Sequence, residues 1–273
     1  MGGFFKDIEN QQKQKKTYLC VGLDPHIDKL PAGMAGDPNQ VLPFLKNIVV
    51  ATAPYVCAFK PQIAYFSAFG LEGALQDIIA YIHSQFPGIP VILDSKRGDI
   101  GSTAEMYAME AFERYDADGV TVNPYMGEDS IEPFTRYKDR GIFALCRTSN
   151  EGAKELQNIH IADGKTYYRF VAEKLMQEWN PNHNVGLVVG ATAESELRKL
   201  RDSFHEAWFL VPGVGAQGGD LRKVIQFGTR AEGGGLIVNS SRAILYASSG
   251  EDYAEAAGQA AETMQSEMAT SFS

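Results

Sequence analysis

The run Asp94-Ser95-Lys96-Arg97-Gly98-Asp99 places two carboxylates and an ammonium directly behind the apolar stretch Val91-Ile92-Leu93. On an extended strand, residues two apart point to the same side. Asp94 and Lys96 therefore share a face, while Asp99 falls where the chain turns. An acid-base-acid array of this kind is suited to electrostatic stabilisation and proton transfer, but ion pairs at strand ends also occur where no chemistry is done. The neighbouring segments decide between the two readings.

Short apolar and β-branched runs at 18–23, 56–59, 91–94, 119–123, 142–146, 185–189, 208–211 and 236–239 predict eight strands. Between them the periodicity is helical, as in 71–86 with Leu75, Ile78, Ile79 and Ile82, and in 104–115 with Met106, Met109 and Phe112. Eight buried strands alternating with helices predict an α/β fold, a parallel sheet closed as a (β/α)8 TIM barrel rather than an open doubly wound sheet. Residues 4–15 predict a helix covering the barrel bottom, and 253–268 the last outer helix. No linker divides the sequence, so residues 1–273 are expected to form one barrel domain.

In such barrels the site lies at the C-terminal ends of the strands. The exits here are Leu23-Asp24-Pro25, Phe59-Lys60-Pro61-Gln62, Asp94-Ser95-Lys96, Asn123-Pro124-Tyr125 and Arg147-Thr148-Ser149-Asn150. Five successive polar exits favour one shared pocket over five unrelated strand ends. After the seventh strand, the segment from Gly213 to Gly219 contains G-x-G-x-x-G. Only one strand follows it, which argues against a dinucleotide-binding unit and for close backbone approach to an anion. Asn239-Ser240-Ser241-Arg242, after the eighth strand, adds hydroxyls and a guanidinium, and loops seven and eight are the usual phosphate grip of this fold. Arg242 can hold a phosphate through two hydrogen bonds or pair with a nearby carboxylate. The longest irregular stretch, 148–165, is expected to fold over substrate.

A net charge of −9 excludes a general nucleic-acid footprint. Cys20, Cys57 and Cys146 lack metal or redox spacing and are expected to be buried thiols. His26, His83, His160, His183 and His205 form no pair with ligand spacing, so no metal site is expected. The opening residues carry no long apolar run, which predicts a cytoplasmic protein without a membrane partner.

The stretch from Asp94 to Thr103 resembles the D-x-K-x-x-D-I signature of the orotidine 5'-phosphate decarboxylase family, in the K-R-G-D-I-G-S-T form of its longer type 2 branch. Val21-Gly22-Leu23-Asp24-Pro25, Phe59-Lys60-Pro61-Gln62, Asn123-Pro124-Tyr125-Met126-Gly127, Arg147-Thr148-Ser149-Asn150, the Gly213 to Gly219 loop and Asn239-Ser240-Ser241-Arg242 follow in family order, so the resemblance spans the chain. It implies conversion of orotidine 5'-phosphate to uridine 5'-phosphate and carbon dioxide, the last step of UMP synthesis, with neither metal nor organic cofactor. It also implies a homodimer with shared sites. Lys60, Asp94, Lys96 and Asp99 would form the charged array, with Asp99 supplied by the partner. Asp24 and Lys60 would contact ribose hydroxyls, and Thr103 would assist from the neighbouring chain. Ser149 would read the pyrimidine, and Gln217 with Arg242 would hold the phosphate. Lys96 would stabilise and protonate the carbanion at C6.

Two other readings share parts of this pattern. A magnesium-dependent sugar-phosphate decarboxylase or synthase of the same superfamily would use a similar D-x-K array, and a nucleotide-binding regulatory barrel would keep Gln217 and Arg242 but has no use for Asp94, Lys96 and Asp99. A Schiff-base aldolase needs a lysine desolvated away from carboxylates, the opposite of one set between two aspartates.

Overall fold

The computed structural model describes residues 3–215 and 218–272. Eight parallel strands lie among them: β1 (Leu19–Leu23), β2 (Ala58–Pro61), β3 (Ile92–Arg97), β4 (Gly119–Val122), β5 (Gly141–Arg147), β6 (Val185–Val189), β7 (Phe209–Pro212) and β8 (Leu236–Ser240). Their order is β2-β1-β8-β7-β6-β5-β4-β3. Parallel bridges Phe59↔Val91 and Gln62↔Asp94 join the two end strands and close the sheet into the expected barrel. Helices such as Val41–Thr52, Glu72–Gln85 and Tyr253–Ala269 follow the strands on the outside.

Strand alternation sorts the side chains. Leu19, Val21 and Leu23 of β1 pack outward against the helices, while Cys20 of β1, Ala58 of β2, Ile92 of β3, Val188 of β6, Leu210 of β7 and Ile237 of β8 fill the barrel interior. Two residues further along β2, β3 and β8 the same inward row turns polar, giving Lys60, Asp94 and Asn239, all of which line one cavity at the C-terminal end. The bottom of the barrel is thus an apolar plug and the top a charged site. Cys20, Cys57 and Cys146 are buried free thiols.

The plug is completed by the helix Gly3–Lys15, which buries Phe4, Phe5 and Ile8. Phe5 stacks on Trp208 with ring centroids 4.9 Å apart, and Phe4 meets Phe143 edge-on at 5.9 Å. Gly141 makes this possible, because a β-carbon there would lie 2.2 Å from the Phe4 ring. The expected helix over 104–115 is replaced by an α-helix, Gly101–Met109, that runs into a π-helical turn, Glu110–Arg114. Stretch 148–165 is less irregular than expected. It holds a short helix, Ala153–Gln157, and a bridge between His160 and Thr166.

Candidate active site

The floor of the cavity is made where β3 departs from regular pairing. Leu93 is in register with Val120, and the next paired residue, Arg97, is in register with Val122, so residues 94–96 stand opposite Thr121 alone. The bulge puts Lys96 in the left-handed region at φ 48°, a conformation that non-glycine residues adopt at a cost. Asp94 and Lys96 do converge, as alternation predicts. They do so through this bulge rather than along a straight strand.

Asp94 is clamped by two ammonium groups. Lys60 Nζ lies 2.6 Å from Oδ2 and Lys96 Nζ 2.5 Å from Oδ1. Burial alone would push the Asp94 carboxyl up, but Lys60 and Lys96 outweigh it and hold the group well below the usual carboxylate range. For Lys60, burial works against the charge, and Asp94 and Asp24 reverse the effect and push it above the ordinary lysine range. Lys60 is therefore a permanent buried cation rather than a desolvated amine poised to attack a carbonyl.

Above this floor is a cavity of about 640 Å³, the size of an ordinary small-ligand site. Asp24 and Asn239 each bring a buried Oδ1 with no hydrogen-bond partner among the described residues, two acceptors open to donor groups of a ligand. The chain around Asp24 is pinned by Tyr246, whose hydroxyl donates to the Asp24 carbonyl at 3.1 Å and accepts from the His26 N–H at 2.8 Å. On the facing wall are Ser149 and Asn150. Their loop is buttoned down by Gln157, which accepts from the Thr148 N–H at 2.8 Å and donates to the Thr148 hydroxyl at 2.9 Å.

The remaining wall is Pro212, Gly213, Val214, Ser241 and Arg242. Gly213, Gly215 and Gly218 have φ between 75° and 99°, which lets the backbone turn sharply here without side chains in the way. Ser241 approaches β1 so closely that a β-carbon on Gly22 would sit 1.8 Å from its hydroxyl oxygen. Arg242 is exposed at the mouth and pairs with no carboxylate among the described residues. Gln217 lies outside the described residues.

The site in one chain thus gathers Asp24, Lys60, Asp94, Lys96, Ser149 and Arg242. Asp99 and Thr103 are not among the lining residues. Asp99 accepts a hydrogen bond from the Ile100 N–H at 2.8 Å, and Thr103 is exposed on the helix Gly101–Met109. Sequence reasoning missed Thr121, Tyr65, Gln157 and Tyr246. Thr121 left one trace, a polar residue in the apolar run Val120-Thr121-Val122.

Residues 17–257 match the family model described as the orotidine 5'-phosphate decarboxylase / HUMPS family. The chain belongs to this family. Among curated relatives, the orotidine 5'-phosphate decarboxylase of Azoarcus sp. (strain BH72) is 53% identical over 258 residues, 94% of this chain and 95% of the relative. That of Bordetella pertussis is 51% identical over 259 residues with the same coverage. Among solved structures, the OMP decarboxylase of Leishmania donovani superposes with a TM-score of 0.84 at 39% identity, covering 97% of this chain and 99% of that one. The family's barrel and this chain's barrel agree over nearly their whole length.

Proposed function

We propose that the chain decarboxylates orotidine 5'-phosphate to uridine 5'-phosphate and carbon dioxide, as a cytoplasmic homodimer in which residues 1–273 act as one catalytic barrel. The observation that carries this reading is Asp94 held between Lys60 and Lys96 on the floor of a cavity whose opposite rim bears Arg242. Cytoplasmic placement suits three buried thiols that remain unpaired. Among the described residues no helix is long and apolar enough to cross a membrane.

The chemistry follows from the charges. Breaking the bond between C6 and the carboxylate leaves an electron pair on C6 with no adjacent carbonyl to accept it, so a fixed cation must stabilise it. In this reading Lys96 Nζ supplies that cation and transfers one proton to C6. The neutral amine left behind is recharged from water, and carbon dioxide departs. Asp94, with its charge held by two lysines, sits beside the leaving carboxylate and disfavours the ground state next to it. Asp24 and Lys60 engage ribose hydroxyls, and Ser149 faces the pyrimidine. Arg242, with Gln217, grips the phosphate, whose remote binding energy is expressed in the transition state.

Asp99 and Thr103 fit this scheme as residues given to a second copy. Their own cavity does not use them, and Ile100, Met106, Met109, Tyr125 and Met126 are large apolar side chains left exposed on the segments that follow β3 and β4. The test of the reaction is the ultraviolet absorbance of orotidine 5'-phosphate with chelator-treated protein. The wild type should consume it and Lys96→Ala should lose at least about a thousandfold in kcat. A folded wild type that leaves the substrate untouched would overturn the proposal.

A further inference from the structure

Thr121 is the residue of β4 that faces the β3 bulge, and it is 2% exposed. Its hydroxyl donates to Asp94 Oδ1 at 2.8 Å and accepts from the Lys96 N–H at 3.0 Å. Its carbonyl accepts from the Ser95 hydroxyl at 3.2 Å. One residue therefore answers all three residues that the register shift leaves without ladder partners on β4. The two hydroxyl bonds are compatible, since the single proton goes to the carboxylate and a lone pair receives the amide. Valine would fill the same volume and is at least as good a strand former, so the strand itself does not call for threonine. The polar contacts do.

We infer that Thr121 is a positioning residue for the reaction: its hydroxyl fixes the Asp94 carboxylate and the left-handed Lys96 backbone relative to each other, and so aims Lys96 Nζ at the reacting carbon. The inference rests on the function proposed above and extends it to a residue that does not line the cavity. With the hydroxyl gone, the Lys96 N–H loses its acceptor and Asp94 is held by the lysines alone. Both lysine charges remain, and the wall around Arg242 is untouched. The loss should therefore appear in the chemical step and not in ligand affinity.

The experiment compares wild type with Thr121→Val, Thr121→Ser and Thr121→Ala, reading kcat with orotidine 5'-phosphate and, separately, the dissociation constant of uridine 5'-phosphate. Thr121→Val should lower kcat about 10- to 100-fold and leave the dissociation constant within about threefold. Should the valine variant not fold, the serine and alanine variants carry the comparison, because both lack the methyl and only serine keeps the hydroxyl. Serine should retain most of kcat and alanine should not. Equal kcat for serine and alanine, or wild-type kcat for valine, overturns the inference while leaving the decarboxylase reading intact. A wild type that does not turn over overturns both.

Discussion

Asp94 carries the electrostatics of the site, because two lysines depend on it and it depends on them. Removing one partner of a buried pair leaves the other unbalanced, and Asp94→Asn leaves Lys60 buried beside a second ammonium. The variant should be about 3–5 kcal/mol less stable at pH 7 by urea unfolding. The pH window follows from the directions of the shifts. The depressed Asp94 contributes stability above its unfolded value and loses it as pH falls through its low folded one, whereas the elevated Lys60 contributes below its unfolded value and loses it as pH rises through the folded one. The gap between wild type and Asp94→Asn should narrow below about pH 4, as the wild type loses the Asp94 contribution. Equal stability of the two at pH 7 would contradict the coupling. At this scale the sequence was most legible where charge meets strand parity, since Lys60, Asp94 and Asn239 fall on the inward row two steps beyond an apolar residue. Of Thr121 it showed no more than a polar residue in an apolar run, because that hydroxyl matters only where a bulge in another strand comes opposite it.

Among elements, strand and helix alternation was readable because each strand is short, apolar and bounded by turn residues, and each outer helix repeats its apolar face. Boundaries slipped where long-range contacts intervene. The helix after β3 turns π-helical at Glu110, the residue that receives Arg97 in a two-pronged ion pair at 3.1 and 3.2 Å. No local pattern announces that partnership. The bottom plug offers a clean test of element packing. Gly141→Ala drives a methyl into the Phe4 ring and should cost about 1–3 kcal/mol. In a Phe4→Ala background that cost should vanish, because the clash partner is gone. A cost unchanged by Phe4→Ala would mean that the plug is not what Gly141 accommodates.

At the scale of the whole molecule, one chain's cavity gathers Asp24, Lys60, Asp94, Lys96, Ser149 and Arg242, whereas the family resemblance assigns Asp99 and Thr103 to a partner. Neither Asp99 nor Thr103 lines the cavity of its own chain. If the site is shared, a Lys96→Ala subunit and an Asp99→Ala subunit, each inactive as a homodimer, should regain activity on mixing. One of the two hybrid sites then holds both native residues, so the hybrid should recover about half of wild-type activity per dimer. No recovery despite demonstrated subunit exchange would place Asp99 in its own chain's chemistry or outside the chemistry altogether. The stoichiometry of the reaction follows the same logic, since every carbon dioxide released must be matched by one proton arriving at C6. The decisive measurement is turnover of orotidine 5'-phosphate in heavy water, with carbon dioxide counted and the product analysed for deuterium. Equal amounts of carbon dioxide and uridine 5'-phosphate are expected, with one deuterium at C6. Unchanged substrate, or product without deuterium at C6, would contradict the decarboxylase reading.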